Sequence, residues 1–301
     1  MPKHKRLYGC ALKKKKVTPI AKKGRKKKTT TLIKKEVKRT LSTSNMNTLL
    51  KQFKNFPLLG KSKWKLNDAI KHLASVEPKF ETLFEAHGVP QGIQDRLTSN
   101  TLDNSDQAFH SLCRTIIYQQ LAGKAASTIY NRVHEDCLGL SENELIKPNH
   151  ILNGKWEERT VDGKVKQFLN NTRCSLSKRK RTYIQSLAEH FNDTSKLKGV
   201  DLEQLSDVEL GKRLIAVKGI AQWSVDMFMI FKLKRPDILS NKDLAIRKGV
   251  AKFYGKNIES FRKDNKYNRS RVNELTAHWA PYRSLASLYM YHTMNIDDDA
   301  S

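Results

Sequence analysis

The chain has 301 residues, of which 57 are Lys or Arg and 30 are Asp or Glu, giving a formal net charge of +27. Such an excess calls for a polyanionic partner. That partner is either nucleic acid or an acidic membrane surface; no apolar run reaches the length needed to cross a bilayer, and no apolar stretch follows the basic N-terminus as a secretory leader would require. Cys10, Cys113, Cys137 and Cys174 are scattered, without CxxC or Cys/His spacing. They read as free thiols in a reducing compartment, with no metal site and no iron–sulfur cluster.

In chain order, residues 1–40 hold 17 of the basic residues and one acid, Glu36. The runs KKKK (13–16) and KKGRKKK (22–28) cannot pack into a core and are expected to be disordered. They suit nuclear import, contact with nucleic acid, or both. Residues 41–62, rich in Ser, Thr and Asn, read as a linker, so that 1–62 forms a basic tail and linker. Helical spacing starts near Trp64. WKLNDAIKHLASVEPKFETLFEAHG (64–88) closes on His87-Gly88, a helix stop. Residues 108–137 read as two helices around Gly123. Residues 146–172 are polar, carry Pro148, Gly154 and Gly163, and read as an inserted loop. SKRKRTYIQSLAEHF (177–191) is amphipathic. The segment 273–294 is helical with a break at Pro281, and 296–301 reads as an acidic tail. No strand alternation recurs, so the expected fold is an all-α domain over 63–295.

The most informative stretch is VKGIAQWSVDMFMIFKLKRPDILSNKDLAIRKG (217–249). SDVELGKRLIAV (206–217) starts with residues that suit a first helical turn. VKGIAQWS then turns at Gly219 into a second helix, completing a helix–hairpin–helix over 206–233. Such a turn leaves N–H groups free at a helix start, a good phosphate site, and Lys218 adds charge. QWSVDMFMIFKL (222–233) is apolar nearly all round, as a buried helix is. Asp243 stands where the N-cap of LAIRKGVAKFYG belongs. Helix N–H groups hydrogen-bond the charged form of such a carboxylate, and near a DNA-binding turn it can stabilise a cationic sugar or activate water. Asp226 and Asp237 are rival carboxylates, the first in the buried helix and needing a partner, the second ordering a turn after Pro236. His278 and Trp279 read as packing residues. Tyr282 and Arg283 suit either a phosphate contact or an internal salt bridge.

Taken with TIIYQQLAGKAASTI (115–129), CSLSKRKRTYIQSLAEHF (174–191) and HWAPYRSLASLYMY (278–291), this stretch resembles the HhH-GPD superfamily of DNA glycosylases, in its 3-methyladenine DNA glycosylase II (AlkA/yeast Mag-like) branch. The resemblance implies two helical subdomains with the active cleft between them. It also implies hydrolytic removal of 3-methyladenine and 7-methylguanine from damaged double-stranded DNA by a nuclear, monomeric enzyme. Asp243 matches the catalytic aspartate. Gly219, Ala221 and Ser224 match positions that clamp phosphate, and hairpin carbonyls in the family can hold a monovalent cation; no other cofactor is implied. Trp223 stands where lyase-competent relatives carry a lysine, which implies water as the nucleophile. Tyr291 and Trp223 match the base pocket, and Gln120 lies near the position that fills the gap left by an extruded nucleotide. Two departures bear on this: Ala221 replaces a glycine, and Met227 replaces a pocket tyrosine. The β-domain that precedes the core in bacterial relatives has no counterpart before residue 105. Other readings of the residues are a non-catalytic helix–hairpin–helix DNA-binding protein, a glycosylase for other damaged bases, and a basic RNA-binding protein; the last explains residues 1–40 alone.

Overall fold

The computed structural model describes residues 43–298 except 100–103, 122, 155, 162–163 and 170–171. The basic stretch at 1–40, Cys10 within it, and residues 299–301 lie outside the described residues. Helix α1 (Thr43–Gln52) occupies part of the stretch expected to be a linker. Its Leu49 is buried, and Phe53 and Leu59 follow it into the core. The Ser/Thr/Asn composition that suggested a linker lies mainly at the start of this helix, where those residue types are favoured.

The segment read as one helix over 64–88 is two, α2 (Leu66–Val76) and α3 (Pro78–His87). Pro78 forces Glu77 into an extended conformation (φ −146°, ψ 100°) and then opens the next helix. The Glu77 carboxylate accepts the Lys79 N–H at 3.3 Å. After α4 (Gln91–Thr98) come α5 (Ser105–Tyr118), capped by Asn104, and α6 (Gly123–Asn131), which runs into a π-helical turn at Arg132–Cys137. The break near Gly123 is thus where the sequence puts it.

The polar insert is not a loop. After a short helix α7 (Pro148–Leu152), three antiparallel strands form a sheet in the order β1 (Trp156–Val161), β2 (Lys164–Leu169), β3 (Thr172–Arg173), with Trp156 opposite Leu169. Only Asp162 and Gly163 lie between β1 and β2, a two-residue hairpin signal that outweighs the lack of hydrophobic alternation. The body of the fold remains helical, with this small sheet added. Cys137 and Cys174 are joined as a disulfide across 37 residues, not free as expected, whereas Cys113 is a buried free thiol.

Helix α8 (Lys178–Asn192) follows, then α9 (Asp207–Ile215), α10 (Gln222–Phe231), α11 (Leu244–Phe253), α12 (Lys266–Thr276) and α13 (Arg283–Asp298). Helix α13 reaches Asp298, so 296–298 is helical and not part of a tail. An aromatic cluster joins the early helices to the late ones. Phe80 stacks on Phe84 at 5.5 Å and meets Trp279 edge-on at 5.2 Å, and Phe84 meets Tyr289 at 4.9 Å. All four are fully buried, and removing one such ring costs about 3–5 kcal/mol. Trp279 is therefore a packing residue, and His278 beside it reaches the Tyr254 hydroxyl at 3.2 Å.

Candidate active site

The hairpin between α9 and α10 is built from both sides. Ser206 caps α9 by accepting the Glu209 N–H at 3.2 Å, while Val217 and Ile220 are buried behind the turn. Gly219 takes φ +94°, and a Cβ there would lie 2.1 Å from Cγ of Tyr183. Glycine is therefore required twice, by its backbone and by the ring of α8 packed against it. Gln119 Nε2 donates to the Gly219 carbonyl at 3.0 Å, and the Lys218 N–H donates to Ser186 Oγ at 3.3 Å. Lys218 is exposed, and its backbone is tied down. The Val217 carbonyl accepts the Ile220 N–H at 3.1 Å. The Val217 and Gly219 oxygens each keep a lone pair, the donor type that a monovalent cation uses, and nothing in the chemistry below depends on such an ion.

Ala221 is the N-cap of α10, with φ −104° and ψ 165° and no capping side-chain bond. That is ordinary extended backbone, so the glycine that relatives carry here is not needed for conformation. The Ser224 N–H is used inside the helix, accepted by Ala221 at 2.9 Å, and Ser224 itself is buried. The N–H groups of Gly219, Ala221 and Gln222 meet no acceptor among the described residues. The hairpin thus presents open donors at the positive end of a helix, as a bound phosphate requires.

Helix α10 turns a stripe of Trp223, Met227 and Phe231 into a cleft of about 1500 Å³. Trp223 is 42% exposed although Ser224 to Ile230, which follow it in the helix, are buried. Gln120 and Tyr291 line the same cleft, so Gln120, Gly219, Ala221, Trp223, Ser224, Met227 and Tyr291 all meet on its walls. Gln120 has φ +56°, and its side chain accepts from Arg179 at 3.4 Å at the lip.

Asp243 is the N-cap of α11. Its Oδ1 accepts the N–H groups of Ala245 at 2.7 Å and Ile246 at 3.2 Å. Its Oδ2 accepts from the Trp223 indole N–H and from the Tyr291 hydroxyl, the latter at 2.5 Å. Burial and this bond to the carboxylate push the Tyr291 phenol well above its usual range, so it remains a donor. The Tyr291 oxygen also lies 3.8 Å from the Met227 sulfur, so Met227 packs against the aspartate's hydroxyl partner.

The loop that delivers Asp243 is fixed by three residues. Buried Arg247 donates to the carbonyls of Lys242 at 2.6 Å and Phe261 at 3.0 Å. Arg283 grips Asp237 through both guanidinium arms, at 2.7 and 2.8 Å, which settles Arg283 as a salt-bridge residue and Asp237 as its partner. On α11, Gly249 lets α13 come close: a Cβ there would lie 2.7 Å from Met290 Cβ, and Met290 precedes Tyr291. Asp226 is buried and finds its partner in Gln222 Nε2 at 2.7 Å; burial raises its carboxyl above the usual range.

The residue order had not pointed to Arg96, Arg114 and Lys232, which line the same cleft. Gln119 and Tyr183, which brace the hairpin, were likewise missed; their signal is only their place in the motifs at 115–129 and 174–191.

The chain is similar over most of its length to known proteins. It is 25% identical to the DNA-3-methyladenine glycosylase of Saccharomyces cerevisiae, across 89% of this chain and 96% of that protein. It is 29% identical to DNA-3-methyladenine glycosylase 1 of Schizosaccharomyces pombe, across 64% of this chain and 75% of that one. Among solved structures, DNA-3-methyladenine glycosidase from Bacillus halodurans superposes with a TM-score of 0.55 at 30% identity, covering 74% of this chain and 88% of its own. The Schizosaccharomyces pombe 3-methyladenine DNA glycosylase in complex with abasic DNA gives 0.52 at 26% identity, covering 76% and 97%. No protein-family model matches the sequence. With the hairpin, the capped aspartate and a relative at this identity and coverage, the chain belongs to the 3-methyladenine DNA glycosylases.

Proposed function

We propose that the protein is a monofunctional DNA glycosylase of base excision repair that extrudes alkylated purines, 3-methyladenine and 7-methylguanine among them, from duplex DNA and hydrolyses their N-glycosidic bond. The observation that carries this reading is the convergence on Asp243 of four donors, two from its own helix and two from the cleft-lining Trp223 and Tyr291.

A purine inside a duplex cannot reach Asp243, so the nucleotide must flip, at a cost of about a few kcal/mol. The open N–H groups of the hairpin supply a grip on the backbone, and Gln120 at the lip is placed to enter the vacated stack. The aromatic faces of Trp223 and Tyr291 attract an alkylated, cationic base. Heterolysis of C1′–N9 leaves the electron pair on the purine and positive charge on the sugar, which the Asp243 carboxylate offsets. Water then adds to C1′ and loses its proton to the carboxylate or to solvent. Trp223 occupies the place of an amine nucleophile, so no Schiff base forms and the strand is not nicked. The monomeric state and nuclear import through the basic tail belong to the same reading.

The test is chromatography of free bases released from methylated duplex DNA. The wild type is expected to release methylpurines and leave alkali-labile, unnicked strands. Asp243→Asn is expected to bind the same DNA and release almost none. Unchanged release by Asp243→Asn removes this carboxylate from the mechanism, and fusion of residues 1–40 to a reporter that stays out of the nucleus removes the import role.

A further inference from the structure

The cleft carries charge that the reaction as described does not use. Trp223, Met227 and Phe231 recur every fourth residue on α10, so the stripe descends about 12 Å from the hairpin. Asp243 touches its first member, and the Tyr291 hydroxyl touches its second. At the third, the Arg96 guanidinium lies over the Phe231 ring at 5.3 Å. Lys232 follows Phe231 directly, and Arg114 from α5 lines the same wall. Arg114 stands over Tyr118 at 5.0 Å and donates to its hydroxyl at 3.3 Å. No Asp or Glu lines this cleft among the described residues, and none pairs with these three cations. Burial, and after it nearby Arg114, lowers the Lys232 ammonium below its usual range. His110 on the same wall is drawn down to about 4 by burial and by His134, Arg114 and Lys232. Its Nδ1 accepts the Ile146 N–H at 3.0 Å, so it stands there neutral and adds no charge.

Charge is therefore divided along the stripe: the Asp243 carboxylate stands behind the cleft wall at its first member, bonded to the lining residues Trp223 and Tyr291, and the cations lie about its third. We propose that Arg96, Arg114 and Lys232 form the leaving-group end of the base pocket, drawing the glycosidic electron pair onto the departing purine. The proposal rests on the glycosylase reading above and assigns a role that the reading does not contain. In heterolysis the C1′–N9 pair moves to N9. A cationic 7-methylguanine leaves neutral, and a neutral hypoxanthine leaves as an anion spread over its ring and O6, later protonated by solvent. The base charge falls by one unit in both cases, so cations beside it accelerate bond breaking of either bound base. They differ in binding: a cationic base is repelled before it reacts, and a neutral one is not.

This difference gives the cluster a kinetic signature. Arg114→Met and Lys232→Met are compared with the wild type in single-turnover excision from duplexes containing one 7-methylguanine or one hypoxanthine, over a range of enzyme concentrations. The maximal rate on both bases is expected to fall by about tenfold or more. For 7-methylguanine the half-saturating enzyme concentration should fall with it, because ground-state repulsion is relieved, whereas for hypoxanthine the loss should pass in full to the rate at limiting enzyme. Weaker binding of both duplexes with parallel loss would mark mere misfolding and overturn the proposal. So would unchanged maximal rates on 7-methylguanine. Release of neither base by the wild type defeats the glycosylase reading itself.

Discussion

Helices α10 and α11 start on either side of one buried segment, and they treat the N–H groups of their first turns in opposite ways. At α11 the carboxylate of Asp243 closes the helix end and, from its other oxygen, meets Trp223 and Tyr291. At α10 the N-cap is Ala221, which has nothing to offer, and the end stays open. A capping side chain is worth about 0.5–2 kcal/mol, so the open end forgoes stability that a single substitution could restore. In the function proposed above, the closed end holds the chemistry and the open end is left for DNA.

The largest effect should come from the closed end. Asn caps as well as Asp, so Asp243→Asn is expected to keep its melting temperature within a few degrees while excision falls by about 10²–10³ or more, read by base release and calorimetry. The open end is tested by closing it. Ala221→Asp is expected to raise stability by about 0.5–2 kcal/mol and yet weaken binding to duplex DNA by about tenfold or more through repulsion of phosphate; stronger binding would sink the contrast. Gly219→Ala should lose on both counts, because φ +94° and the Tyr183 ring each oppose a Cβ. A stability loss of about 1–3 kcal/mol is expected, with weaker DNA binding in a fluorescence titration. The smallest effect concerns the rival carboxylate. The carboxyl of Asp226 sits above its unfolded value of 3.8, so the native state holds its proton more tightly. Stability associated with it is present at low pH and is lost as pH rises through that raised value. Asp226→Asn should therefore melt higher than the wild type at pH 8, with the gap closing toward pH 4, and should leave excision far less affected than Asp243→Asn.

Much of this contrast was legible in the residue order, because capping is local. Ser206, Gly219 and Asp243 announce themselves by type and position, and so do the helices that they bound. Local signals also account for what was misread. Pro78 should have divided α2 from α3, and Asp162-Gly163 should have marked the hairpin in the insert. What no local pattern carries is the meeting of distant segments. Trp223 and Tyr291 reach one oxygen from helices far apart in sequence, and Gly249 matters only because Met290 packs on it. The same holds for Arg96, Arg114 and Lys232, three unremarkable basic residues in a chain with 57, which acquire meaning only on one wall. Ala221, a departure from the family pattern, proves conformationally neutral, and what it changes is what the helix end is free to bind.

Lys234 has a practical consequence for anyone who cuts this chain. It is 1% exposed, and its ammonium bonds to the Arg96 carbonyl, to Ser99 Oγ at 2.9 Å and to the Phe231 carbonyl at 2.7 Å, while its own carbonyl accepts the Trp64 indole N–H at 2.7 Å. Trp64, Arg96 and Ser99 are therefore bolted to the end of the hairpin helix: trimming to residue 105, where the family motifs begin, would strand a buried cation, and the shortest active product should start ahead of Trp64.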